Sequence, residues 1–301
     1  MTTTTTVIQQ PMAPSALAQR RNIWRGLWRF TARRPVGAVA GLLCILLILI
    51  AIFAHQLAPS APDALFPAAK LKPPSAAHPF GTDNLFRDMF SRIIVGSQIS
   101  LGVGFASVFV GTLLGTFFGL ISGYARDWAD MAINRMIDTV MAFPPLILAI
   151  FFLSIFHATF LTVSLAIGII IAPVTARIVR SAVLGVINLQ YIEAAQALGS
   201  SHTRIMFRHV LPNVSAPIIV IASIQIGNAI LAEAALSFLS LGIATDAHPS
   251  WGKMLQDTRS VWQQGWWTAV IPGVAISVAV LAFNMFGDAL RDALDPRLRG
   301  S

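Results

Sequence analysis

Long runs without a charged side chain constrain this sequence more than any other feature. With histidine counted as neutral, they include residues 35–62, 93–125, 139–176, 210–232 and 260–287. A helix needs about 20 apolar residues to cross the ~30 Å hydrocarbon core of a bilayer. The first run holds the dense apolar block 36–54 and predicts one span. The second, 33 residues long, predicts one long tilted helix with interfacial ends. The third has 38 residues, which as one helix would measure about 57 Å at ~1.5 Å per residue. That is too long for one crossing and right for two, with a tight reversal near His157 to Phe160. Span five begins in the fourth run and continues past Glu233 to about Leu241, and the fifth run holds span six. The sequence therefore predicts an all-α integral membrane protein with six transmembrane helices.

Composition agrees. The chain is 55% hydrophobic and 11% charged, with a mean hydropathy of +0.71. Soluble domains carry roughly 25% charged residues. This excludes most soluble enzymes, secreted disulfide scaffolds and disordered chains. The net charge of +8 would suggest nucleic acid in a soluble protein. In a membrane protein the placement of the positive residues matters more, because cytoplasmic loops accumulate Lys and Arg. With the N-terminus inside, fifteen of the 21 Lys and Arg fall on inner segments and six on outer ones. The bias predicts that both termini are cytoplasmic. The basic leader before the first apolar block is longer than that of a signal peptide, and the block itself exceeds the usual 7–15 residues, so the first helix is expected to be retained. Cys44 is the one cysteine and permits no internal disulfide.

Several segments punctuate the spans. Residues 1–19 are rich in Thr and Pro, carry no charge and are expected to form a disordered tail. Residues 20–35 are expected to form a basic interfacial helix, with Arg21, Arg25 and Arg29 beside Trp24 and Trp28; a plain positive-inside anchor is the simpler reading of the same residues. The six-span domain then covers 36–290. It includes a proline-rich external loop at about 56–92, an internal loop at about 184–213 and an external loop at about 242–265. Residues 291–301 are expected to be a cytoplasmic tail. Gly111, Gly115, Gly119 and Gly123 recur every four residues on span two and predict close helix packing. Pro144 and Pro145 mark a kink or a first helical turn near span three. Trp262, Trp266 and Trp267 fit an outer aromatic belt.

The internal loop is the most informative stretch. It reads locally as helix, glycine stop, helix. Asn188 is the expected N-cap and Gly199 the expected residue just past the first helix. Ser200 or Ser201 caps the second, which must end or bend near Pro212. Ile192, Ala195 and Leu198 are expected to share a face. A solvated loop is the default reading. A DNA-binding helix-turn-helix is the other, but the segment lies between two spans and its second helix offers only Arg204 and Arg208 as cations.

At these residues the chain resembles the permeases of ABC importers. Their signature loop reads Glu-Ala-Ala, three residues, Gly, nine residues, an aliphatic residue, one residue, then Leu-Pro. It falls here on Glu193, Ala194, Ala195, Gly199, Leu211 and Pro212, with His209 at the aliphatic position. That departure is similar to the peptide branch. Gly81-Thr82-Asp83, Arg87-Asp88 and Ser91-Arg92 resemble the first external loop of that branch, which usually has Gly where this chain has Phe86. Ser237-Phe238-Leu239, Leu241-Gly242 and Pro249-Ser250-Trp251-Gly252 resemble its last external loop, which usually has Gly at the position of Ser240. Asn284, Gly287-Asp288, Leu290-Arg291-Asp292 and Leu294-Asp295-Pro296 match its C-terminus. The likeness runs from about Arg25 to Arg299 and is greatest to C-type subunits of the dipeptide/oligopeptide/nickel family.

The resemblance implies a type I ABC importer permease fold in a bacterial inner membrane. It implies a heterodimer with a homologous permease, two ATPase subunits and an external solute-binding protein, carrying peptides or similar small polar solutes. It also implies that the 193–212 loop forms a coupling helix seated on an ATPase. The chain has no phosphate-binding Gly-x-x-x-x-Gly-Lys-[Ser/Thr] loop, so ATP and Mg are expected on the partner subunits, with no cofactor, metal, nucleic acid or reaction chemistry here. The histidines are scattered. Gln225, Asn228 and Glu233 on span five are candidate pathway-lining or interhelical residues, because polar groups at that depth are costly and face the bundle interior. A self-sufficient secondary carrier is the alternative function; Glu233 would be its one plausible coupling group. An intramembrane enzyme would need a nucleophile–base pair or metal ligands, and neither pattern is present.

Overall fold

The computed structural model describes residues 35–125 and 127–294. The expected tail at 1–19, all of the basic helix except Pro35, and residues 295–301 lie outside the described residues. The described chain is helical apart from loops and one isolated bridge between Thr82 and Asp88. Helix α1 covers Pro35–Ile52, followed by the single turn α2 at Ala54–Leu57. After the proline-rich loop come α3 (Met89–Ala125), α4 (Asp127–Met141), α5 (Pro145–Ile155) and α6 (Phe160–Val186). The loop elements α7 (Gln190–Ala197) and α8 (His202–Ile205) lead into a π turn at Met206–Val210 and the short α9 (Leu211–Asn213). Helix α10 spans Ser215–Phe238, α11 Trp251–Asp257 and α12 Trp267–Leu294. Residues 291–294, expected in the tail, continue α12.

Five of these helices, α1, α3, α6, α10 and α12, are long and apolar enough to cross a membrane. The sixth crossing differs from the expected single helix. It exists only as the pair α4 and α5, bent by 90°. The eleven residues of α5 reach about 16 Å at ~1.5 Å per residue, roughly half a bilayer core. The cause is Pro144–Pro145. Pro144 is extended (φ −59°, ψ 129°) and Pro145 opens α5, since a residue before proline avoids the helical region and proline suits a first turn. The reversal into α6 occupies 156–159. Thr159 caps α6 by accepting from the Thr162 N–H at 3.1 Å while its own N–H donates to the Thr162 hydroxyl at 2.8 Å, a reciprocal cap.

Helices α3 and α6 form the tightest pair. A Cβ on Gly115 would lie 2.5 Å from Thr175 Cβ and 2.7 Å from the Ala172 carbonyl oxygen; one on Gly119 would lie 2.5 Å from the Ala176 carbonyl oxygen. Gly111 and Gly123 meet Ile171 and Val183 as closely. Four absent side chains let two backbones touch, and lipid gives helices little other reason to associate. Helix α10 packs against this pair and against α12, while α1 leans on α12 and exposes Val36, Val39, Leu42, Ile45 and Leu49 along its outer side. The loops at 58–88 and 239–266 share one end of the bundle. The 187–214 loop lies at the other.

Candidate functional site

The 187–214 loop is built by three local devices. Helix α7 starts at Leu189, which is extended and whose carbonyl accepts from the Ile192 N–H at 2.8 Å. The expected cap, Asn188, is one residue too early. At the other end the Gly199 N–H donates to the Gln196 carbonyl at 2.9 Å and the Ser200 N–H to the Ala195 carbonyl at 3.1 Å. This paired closure needs a left-handed residue, and Gly199 has φ +74°. Ser201 caps α8 by accepting from the Arg204 N–H. The helix then widens, with the Leu211 N–H reaching back to the Met206 carbonyl. Pro212 explains the widening. It has no N–H, and its ring would strike the carbonyl four residues back in a regular helix.

The loop has a buried underside and an exposed top. Ile192, Ala195, Ile205, Val210 and Val214 pack on Leu120 of α3 and Val179 and Val183 of α6. Tyr124 and His202 join α3 to α8 by a 2.8 Å hydrogen bond. Of the six candidate coupling residues, Glu193, Ala194, Gly199 and Pro212 are exposed, Ala195 is buried and Leu211 is half-buried. Leu198 does not share the buried face as expected; it is 86% exposed. Steps of three residues fall about 60° short of a full turn, so two such steps carry Leu198 about 120° away from Ile192. Tyr191 and Phe207 are also exposed. These three apolar residues were missed as surface features. The angular drift was their only signal. Among the described residues, and leaving aside its two chain neighbours, nothing lies within 4 Å of a Cβ built on Gly199.

The polar residues of α10 separate into two groups. The Asn228 side-chain amide donates to Gln225 Oε1 at 2.7 Å, with Asn228 exposed and Gln225 buried. Glu233 is 1% exposed. Its Oε1 accepts from the Ser237 hydroxyl at 2.6 Å, and Ser237 in turn accepts from the Ser250 hydroxyl at 3.2 Å. Its Oε1 is thus bonded within this chain, where α10 meets α11.

The opposite end holds a charge network that sequence reasoning did not foresee. Arg87, 2% exposed, places Nε 2.6 Å from Asp83, Nη1 2.5 Å from Asp246 and Nη2 3.3 Å from Asp257. Arg92 lies 3.6 Å from Asp257 and donates to the Pro62 and Asp246 carbonyls at 3.0 and 3.2 Å. Asp88 caps α3 by accepting from the Ser91 N–H at 2.8 Å and pairs with His78 at 2.9 Å. Partial burial works to raise the Asp246 carboxyl, but its hydrogen bond to Arg87 holds it below the usual carboxylate range. Burial likewise works to lower Arg87, and Asp83 and Asp246 hold it above its ordinary value. Phe86 (φ +64°) and Ser240 (φ +69°) are left-handed, at the two positions where the sequence departs from the glycine usual in the branch it resembles. Among the described residues no group of three or more His, Cys, Asp or Glu could hold a metal.

A bundle of membrane-length apolar helices with one capped, exposed loop helix fits the class of multi-pass membrane proteins. Residues 115–300 match the model of the binding-protein-dependent transport system inner membrane component family, and residues 22–74 match the N-terminal TM domain of oligopeptide transport permease C. The chain belongs to this family. It is 44% identical to the dipeptide transport system permease protein DppC of Alkalihalophilus pseudofirmus, over 92% of this chain and 90% of the relative. It is also 44% identical to the glutathione transport system permease protein GsiD of Pectobacterium atrosepticum, over 93% of each. In fold it is similar to a chain of the inward-facing MetNI methionine ABC transporter, with a TM-score of 0.56 at 18% identity, over 69% of this chain and 98% of that one. The protein is an inner-membrane permease subunit of an ABC importer, and not itself an enzyme. Such a permease works with a partner permease, ATPase subunits and a binding protein.

Proposed function

We propose that this chain pairs with a homologous permease as a heterodimer to carry peptides or similar small polar solutes, driven by two ATPase subunits that hold ATP and Mg and fed by an external binding protein. Both termini and the 187–214 loop face the cytoplasm, and Glu193, Ala194 and Gly199 with exposed Leu198 form the surface that seats on an ATPase. One observation carries the docking part. A short helix is fixed firmly from below by an apolar cluster, yet presents an acid, small residues and an uncovered leucine on top. A rigid, slim projection of that kind transmits force between subunits without flexing. The peptide reading is supported by the dipeptide and glutathione permeases at 44% identity.

The test is Gly199→Asp, with Gly199→Asn beside it. Both residues tolerate a left-handed backbone better than most, and the open surroundings admit either side chain. Assembly in the membrane should survive in both. ATP-dependent uptake should fall at least tenfold with Asp, and less with Asn. Undiminished uptake with Asp would overturn the docking role.

A further inference from the structure

We propose that the cavity between the end of α10 and α11 seats the terminal carboxylate of a peptide substrate, with Lys253 as the group that holds it. The proposal rests on the peptide-importer reading above. The cavity measures about 220 Å³ and is lined by Ser237, Ser240, Gly242, Ala244, Lys253 and Gln256. Apart from the two smallest residues, every lining side chain carries a hydrogen-bonding group. Such a lining suits a hydrophilic group and offers nothing to an acyl chain or an aromatic ring. At ~30 Å³ per water molecule, the volume equals about seven waters. That is room for the terminal residue of a peptide, and the open side leaves the rest of the chain outside.

Lys253 is the only charged residue in the lining. Its Nζ contacts Asp257 Oδ1 at 2.5 Å. An ammonium has three donors, so two remain. Asp257 also lies 3.3 Å from Arg87 and 3.6 Å from Arg92, and it divides its charge among three cations. Asp246 feels the charge of Lys253 but accepts its hydrogen bond from Arg87. A carboxylate entering the cavity would meet an ammonium with donors to spare.

The turn that shapes the cavity holds Ser240 in a conformation that side chains avoid. In return the Ser240 hydroxyl accepts from Gln256 Nε2, which leaves Gln256 Oε1 to accept a peptide N–H. Residues held in such conformations cluster at functional sites. Gly242 lets this turn pack closely on α10 beneath the cavity, since a Cβ there would lie 2.0 Å from Ser237 Oγ.

The experiment uses the complete importer in proteoliposomes, loaded with ATP on the ATPase side, and two photoreactive dipeptides, Ala-photoleucine and photoleucine-Ala. During uptake, illumination should attach the first, whose reactive residue bears the carboxylate, within residues 237–256, at least five times more than the second. Lys253→Met should cut that labelling and the maximal uptake rate about tenfold, with the complex present in equal amount. Lys253→Arg should restore both to within about threefold. Three results would overturn the proposal. One is dipeptide uptake without labelling of 237–256, another is equal labelling by both probes, and the third is a Met variant that transports like the wild type. Absence of uptake of any dipeptide by the unmutated importer would instead sink the peptide reading, and the proposal with it.

Discussion

The two ends of the bundle are held together by different physics. At the end formed by 58–88 and 239–266, Arg87 and Arg92 are almost fully enclosed by Asp83, Asp246, Asp257 and two carbonyls. Four separate segments meet on those two guanidinium groups, so none can move without exposing a buried charge. At the 187–214 end the ion pairs are more open. Arg177 and Asp138 are each about half exposed at 2.6 Å, and Arg180 makes a two-pronged contact with Asp130 at 2.7 and 2.6 Å that water can still reach. There the loop is held by an apolar underside instead. One end is clamped by directional bonds that fix loops to each other. The other is seated by non-directional packing that, among the described residues, leaves its top surface exposed. The proposed seating of this loop on an ATPase would use that arrangement, with a firm seat below and an exposed face above.

Three substitutions probe this contrast. The largest effect should come from Arg87→Met at the clamped end. It leaves two buried or partly buried carboxylates and Asp246 without their shared cation, and breaking a buried pair costs about 3–5 kcal/mol. Thermal unfolding of the purified complex should show that loss; a change under ~1 kcal/mol would mean the network is ornamental. Gly115→Ala, in the shaft joining the two ends, should come next. The new methyl would meet the Ala172 carbonyl at 2.7 Å, and overpacking of this kind costs about 1–3 kcal/mol. The same unfolding measurement should detect it, together with wider α3–α6 spacing by spin-label distance. Arg177→Met at the open end should be the mildest, at or below ~1 kcal/mol. A loss as large as that of Arg87→Met would erase the distinction between the ends.

How much of this was legible beforehand depends on the range of the interaction. The glycine stripe of α3 was readable because its period alone puts all four residues on one face. The turn at Gly199 was readable, and the second cap was narrowed to Ser200 or Ser201, because both depend on three or four neighbouring residues; the structure selects Ser201. The cap at Asn188 was misplaced by one position, since an extended Leu189 can open a helix through its backbone alone. The bend between α4 and α5 was half visible. Two prolines announced a break, but not its 90° angle. Leu198 was assigned to the wrong face because an apolar residue at a plausible spacing gives no hint that the fold will leave it outside.

The sequence by itself determined the solvent, five long apolar helices and the glycine turn of the signature loop. Each of those follows from near neighbours and from the cost of placing charge or bare backbone in hydrocarbon. Only the tertiary structure decided that Arg87 and Arg92 would find Asp246 and Asp257 more than 150 positions away, that Glu233 would be enclosed among serines, and which side of α7 would face outward. Those outcomes depend on which helices touch. Contact is set by the summed packing of the whole bundle, which no local pattern encodes.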